Sequence, residues 1–223
     1  MTDLTDFDAI EPYVLEQIRK TQAPRQWIDW ESSDPKTPQS RAWFAEQNRD
    51  YAEKNIPRRY AAATTDDTRI HQWVLDVVTN PDTARSLLLA GPTGTGKTHM
   101  AYAALRLSAE ACRPPFWRAG STAALLGDLR PSANRDSEAL MAKYCNSTVL
   151  FLDDLGAGKS SEWTEEMLYR VIDHRYSNLL PCIFATNHAP SELAAALGER
   201  TASRLAEMCQ VLVIDGDDRR RTR

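Results

Sequence analysis

The spacing of apolar residues changes character near residue 60. Before it, Leu4, Phe7, Ile10, Val14 and Ile18 recur at three- and four-residue intervals, the pattern of one apolar helix face. Ser32-Ser33-Asp34-Pro35-Lys36-Thr37-Pro38 reads as a loop by composition. A second amphipathic helix, anchored by Trp43, Phe44 and Tyr51, is predicted to stop before Asn55-Ile56-Pro57. Two short helices make a poor core alone, so this region either packs on the rest of the chain or docks on a partner.

From residue 61 helical faces alternate with short apolar runs. Ile70, Trp73, Val74 and Val77 share one face of a helix predicted over Asp66–Val78. Ser86–Ala90, Phe116–Ala119, Val149–Leu152, Cys182–Thr186 and Val211–Ile214 read as strands, and their lack of polar alternation suits burial on both faces. Helical stretches separate them: His99–Cys112, Thr122–Arg130 with Glu138–Cys145, Trp163–Ser177 and Glu192–Met208. Strands alternating with helices predict a doubly wound α/β domain with a five-stranded parallel sheet. The division expected is a helical region over 1–55 and an α/β domain over 56–223.

Composition narrows the class. The chain has 223 residues, enough for one ordinary domain and an appendage, and is 42% hydrophobic and 26% charged. No apolar run approaches the roughly 20 residues that span a bilayer, and no secretory leader opens the sequence. Cys112, Cys145, Cys182 and Cys209 form no CxxC pair, so zinc-ligand spacing is absent and free thiols in a reducing cytoplasm are expected. The net charge of −4 argues against a protein that coats DNA along one basic face, though a local basic strip can still bind phosphate.

The sharpest chemistry lies after the first strand. Gly91-Pro92-Thr93-Gly94-Thr95-Gly96-Lys97-Thr98 fits GxxxxGK[ST], with an apolar strand before it and an amphipathic helix after. Glycines let backbone N–H groups turn toward phosphate, and the helix N-terminus adds its positive end. Lys97 then reaches the β- and γ-phosphates, and the Thr98 hydroxyl ligates Mg²⁺. Val149-Leu150-Phe151-Leu152-Asp153-Asp154 is an apolar strand ending in paired acids. Asp153 is the candidate Mg²⁺ ligand and Asp154 the candidate for orienting or deprotonating an attacking water. Asn187, after Phe184-Ala185-Thr186, either reaches the phosphate or the water, or serves as a turn residue or N-cap. His188 beside it reads as a loop histidine. Arg200 and Arg204 lie one helical turn apart, suited either to a charged phosphoryl group or to a solvated face. Arg219, Arg220 and Arg221 follow the last predicted strand, where a charged tail is the plain reading.

These elements, in this order, resemble an AAA+ ATPase, and more narrowly the DnaC-like helicase loaders and the IstB-type transposition helpers. Gly91–Thr98, Leu152-Asp153-Asp154-Leu155-Gly156, Arg175-Tyr176, Ala185-Thr186-Asn187-His188 and Gly198-Glu199-Arg200 with Arg204-Leu205 carry the likeness. Asn55-Ile56-Pro57-Arg58-Arg59-Tyr60 is similar to the lead-in of these proteins. The resemblance covers about Ile56 to Arg220. It implies ATP and Mg²⁺ as cofactors, Asn187 as sensor 1, and Arg204 (less so Arg200) as an arginine finger entering a neighbouring subunit's site. Arg220, with Arg219 the close competitor, would be the sensor 2 arginine. It further implies no C-terminal lid domain, self-association through the ATP sites, and two partners: single-stranded DNA and a hexameric replicative helicase of the DnaB type. Arg118, Ser121 and Arg130 are candidate DNA contacts, or ordinary surface residues. No membrane partner is implied. An ATP-dependent helicase loader is thus the expected function, with the transposase helper as the alternative. A small-molecule kinase fits less well, because the acid pair plus Asn187 suits hydrolysis. A nucleotide-free adaptor is opposed by the intact Lys97, Thr98, Asp153 and Asp154.

Overall fold

The computed structural model describes residues 48, 50–80, 82–111, 117–158 and 160–216. The predicted helix through Leu4–Ile18, the loop at Ser32–Pro38, the anchors Trp43 and Phe44, Cys112, and Arg219–Arg221 lie outside them. The chain forms two compact units, one of Met1–Ala84 with His99–Pro115 and one of Arg85–Thr98 with Phe116–Arg223.

In the first unit, residues 50–55 are helical, ending just before Ile56-Pro57. A single 3-10 turn, Arg58–Tyr60, follows. Helix α1 spans Thr68–Thr79; the Asp67 carboxylate caps it by accepting from the Arg69 N–H. Ile70, Trp73, Val74 and Val77 are all buried, as their spacing predicts. Helix α2 spans Lys97–Ala111, and its body from His99 onward belongs to this unit. The Tyr60 and Tyr102 rings stack at 4.8 Å. His99 and His71 hold consecutive residues of the connecting segment, through Thr64 and the Thr65 carbonyl.

The second unit is built on a five-stranded, wholly parallel sheet in the order β2-β3-β4-β1-β5. The strands are β1 (Ser86–Ala90), β2 (Arg118–Ser121), β3 (Leu150–Asp153), β4 (Cys182–Thr186) and β5 (Cys209–Val213). β1 and β4 are buried at every position, as their uninterrupted apolar runs require. Helices α3 (Thr122–Leu129), α4 (Ser137–Cys145), α5 (Glu162–Ser177), α6 (Leu193–Leu197) and α7 (Glu199–Met208) complete the unit. Leu88, Leu150, Leu152, Cys182 and Phe184 from the strands join Leu125, Met141, Leu168, Ile172, Leu197 and Leu205 from these helices in one core.

Most boundaries shift by one or two residues from the sequence reading, and three differences change the picture. β2 starts two residues later than predicted and takes in Gly120, pairing Arg118 with Leu150 and Ser121 with Asp153. β5 is displaced toward the N-terminus, because Cys209 and Gln210 pair with Ser86 and Leu87. The single helix predicted over Glu192–Met208 is two, α6 and α7. Gly198 separates them at φ 83°, a left-handed conformation that a side chain resists.

Candidate functional site

The carboxyl ends of three adjacent strands carry most of the predicted chemistry. β1 runs into the glycine loop, β3 into Asp153 and Asp154, and β4 into Asn187. In open parallel sheets this is the edge where ligands bind.

The glycine loop is anchored where it leaves β1, on both sides. The Gly91 N–H donates to the Thr186 carbonyl at 3.3 Å, and the Ile214 N–H donates to the Ala90 carbonyl at 2.7 Å. A Cβ on Gly91 would run into the Ile214 carbonyl oxygen, so the first glycine is demanded by backbone approach. The Thr95 hydroxyl donates back to the Pro92 carbonyl at 3.0 Å. Lys97, only 7% exposed, turns its ammonium inward and donates to the Gly91 and Pro92 carbonyls, each at 2.7 Å.

Thr98 and Asp153 meet directly: the hydroxyl donates to Oδ2 at 2.9 Å. The other oxygen, Oδ1, accepts the Asp154 N–H at 3.0 Å. Burial pushes the Asp153 carboxyl above its usual range, opposed by the Thr98 hydrogen bond; the neighbouring Asp154 charge raises it further. A divalent cation here would reverse that pressure by favouring the ionised form. Asp154 itself is exposed and sits at φ 52°, a turn conformation that Asp tolerates better than most residues. The chain therefore leaves β3 sharply, with one acid inward beside Thr98 and the next in solvent.

The donor set fits a magnesium nucleotide. A turn built on glycine backbone, a buried ammonium and a helix N-terminus suit phosphate oxygens. A hydroxyl and a carboxylate 2.9 Å apart offer hard oxygen ligands. Among the described residues no cluster of three or more His, Cys, Asp or Glu could hold a metal by itself. Magnesium shared between one carboxylate and substrate phosphates needs no such cluster.

Asn187 directly follows Thr186, which pairs with Ala90 in the sheet, and it is exposed. Arg204 is placed elsewhere, on α7. Its Nε donates to Asp173 Oδ1 on α5 at 2.8 Å, and its guanidinium lies 4.4 Å from the Tyr176 ring centroid. Arg200 lies over Tyr169 at 3.9 Å. The guanidinium beside Asp173 holds its carboxyl below the usual carboxylate range. Of the candidate DNA contacts, Ser121 accepts the Ala124 N–H and caps α3. Arg118 faces the Tyr144 ring and Arg130 the Trp163 ring.

Two residues have roles that the sequence reading did not assign. His188, read as a loop histidine, is half-buried: its Nε2 meets the Gly156 carbonyl at 3.1 Å, and its backbone N–H donates to the Thr186 hydroxyl. That hydroxyl in turn donates to the Leu155 carbonyl, so β4 grips the turn behind the acid pair. Gly156, with φ 83° and the His188 ring beside it, is the sequence signal for this packing. Arg175 is entirely buried. It donates to the carbonyls of Tyr144, Cys145, Ser147 and Pro181, to the Ser147 hydroxyl, and from Nε to Cys182 Sγ at 3.0 Å. The Arg175-Tyr176 pair was visible as a family signature, without a role.

Comparison with known proteins follows the same lines. A crystal structure of the DnaC helicase loader aligns with a TM-score of 0.62 and 30% identity, covering 71% of this chain and all of that one. The fold is also shared with a crystal structure of DnaI, at a TM-score of 0.63 and 21% identity, over 72% of this chain and 95% of that one. In sequence, the chain is 31% identical over 157 residues to the replicative helicase loader DnaI of Bacillus subtilis, covering 61% of this chain and 48% of that protein. It is 30% identical over 141 residues to a Mycobacterium tuberculosis protein named for ATP binding in an insertion sequence, covering 60% and 55%. The chain thus spans about half the length of the curated relatives it matches. The model of the IstB-like ATP binding protein family matches residues 58–223, from the 3-10 turn through the sheet, and the chain belongs to that family.

Proposed function

We propose that this protein is an ATP-hydrolysing helicase loader that works between subunits on single-stranded DNA and a hexameric replicative helicase. The observation that carries the hydrolytic reading is the Thr98–Asp153 pair with Asp154 beside it at the end of β3. Bound magnesium nucleotide would supply the phosphoryl electrophile and a divalent charge. Lys97 would exchange its loop carbonyls for phosphate oxygens, keeping its charge inside the loop. Thr98 and Asp153 would hold the cation. Asp154, exposed and next to that pair, would orient water and take its proton. Asn187 would contact the terminal phosphate or that water. Arg204 would complete the site of a neighbouring copy, and Arg220 would act within its own subunit.

The loader reading is supported by the DnaC helicase loader, matched along its whole length at 30% identity. A second reading, an IstB-type helper of a DNA transposase, is favoured by the family model and the insertion-sequence relative. The test is the ATPase rate per subunit against protein concentration, with and without single-stranded DNA and a DnaB-type helicase, beside Arg204→Ala. The loader reading expects a rate that climbs with concentration, responds to both additions, and falls by at least about a hundredfold in the variant, since a trans arginine is worth 10³–10⁵ in related chemistry. Stimulation by DNA, with indifference to the helicase, would favour the transposase helper. A rate per subunit independent of concentration and of Arg204 would overturn both.

A further inference from the structure

The seam between α5 and α7 interleaves cations, rings and acids in matching steps. Tyr169, Asp173 and Tyr176 follow one another at four and three residues on α5, and Arg200, Arg204 and Glu207 do so on α7. Asp173 Oδ1 accepts from two groups, Arg204 Nε at 2.8 Å and the Tyr169 hydroxyl at 3.1 Å. Tyr176 serves as the stacking base under the Arg204 guanidinium, and its own hydroxyl donates to Glu207 Oε2 at 2.5 Å. Each partner of Arg204 is therefore itself held in place. The hydrogen bond engages the Nε of Arg204. The terminal amino groups carry four of the five N–H donors that can grip phosphate oxygens, and they take no part in that bond.

We propose that Asp173, with Tyr176 as backing, is a positioning residue that fixes Arg204 for work on a nucleotide phosphate bound by a second copy of this chain. This rests on the reading that Arg204 acts in trans. A long side chain already ordered before assembly loses less freedom when it meets its target, and small misplacements of such groups are costly in rate.

The test is complementation between variants. Lys97→Ala supplies an intact arginine and a disabled nucleotide loop; Arg204→Ala supplies the reverse. Mixing them should restore ATPase activity. Placing Asp173→Ala in the arginine-supplying subunit, beside Lys97→Ala, should lower that restored rate about tenfold to a hundredfold, with Asp173→Asn intermediate. Placing it instead beside Arg204→Ala, in the nucleotide-supplying subunit, should leave the restored rate unchanged. This asymmetry separates positioning from folding, because a damaged fold would act in either placement. Equal loss in both placements, or full rescue from the Lys97→Ala/Asp173→Ala subunit, would overturn the proposal. Failure of the plain Lys97→Ala and Arg204→Ala mixture would instead remove the trans reading, and the positioning role with it.

Discussion

Replacing Arg175 with Met tests how α5 is fastened to the sheet. The substitution keeps an unbranched side chain as far as the position of Nε and removes the guanidinium with every donor. Arg175 has no exposed surface, and its partners are carbonyls, a hydroxyl and a thiol, with no carboxylate among them. Its charge is met by the C-terminal end of α4, to whose last carbonyls, Tyr144 and Cys145, it donates at 3.0 and 2.9 Å. In the variant, the Tyr144 carbonyl keeps the Ser147 hydroxyl, and the Pro181 carbonyl keeps the Leu150 N–H. The Cys145 and Ser147 carbonyls have no second donor among the described residues. Two dry carbonyls cost about 1–3 kcal/mol each. Relief from burying a charge returns part of that sum. A net loss of about 3 kcal/mol is expected, a large share of the roughly 5–15 kcal/mol that stabilises a domain. Urea unfolding followed by tryptophan fluorescence and circular dichroism measures it. Arg175→Lys, which keeps the charge but lacks the planar fork, should recover less than half. A Met variant within about 1 kcal/mol of the wild type would refute the idea that these carbonyls depend on Arg175.

Gly91→Ala should both weaken ATP binding and lower the melting temperature, because the added methyl has only the Ile214 carbonyl to displace; overpacking of this kind costs about 1–3 kcal/mol. Asp153→Asn should fold normally and bind nucleotide, but lose the gain in affinity that Mg²⁺ provides, as read by titration calorimetry with and without the ion. The Tyr144 phenol is pushed up to about 12 by burial and by its hydrogen bond to Asp128. Because the unfolded chain releases this proton near pH 10, the stabilisation is complete below pH 10 and disappears as pH rises toward 12. Tyr144→Phe should therefore show a shallower loss of stability across that window, and an unchanged slope would remove the argument.

The fold was readable where burial dictated composition. β1 and β4 are buried along their whole length, and Ser86–Ala90 and Cys182–Thr186 were predicted to the residue. β2 and β5 lie at the edges of the sheet, where only one neighbour constrains them and polar residues are tolerated. Arg118, Gly120 and Ser121 therefore conceal a strand, and exposed Val211 and Val213 draw the eye away from Cys209 as its start. The break at Gly198 was missed because helical periodicity continues through it: Leu193, Leu197 and Leu205 are all buried on either side. A conformation with positive φ leaves no trace in periodicity, only the glycine.

The same distinction explains which site residues announced themselves. A motif stands out when geometry forbids substitutes. The Ile214 carbonyl excludes any side chain at Gly91, and a cation between Thr98 and Asp153 would require oxygen ligands at those two places. Such positions carry unusual residue types in fixed order, which a chance sequence rarely reproduces. The α5–α7 seam obeys no such exclusion. Tyr, Asp and Glu at helical spacing are what any solvated helix face offers, so Asp173 looks ordinary until Arg204 is seen across the seam. Function that resides in the backbone leaves glycines in the sequence. Function that resides in one side chain resting on another leaves only a pairing, and a pairing between residues 31 apart is visible only once the chain is folded.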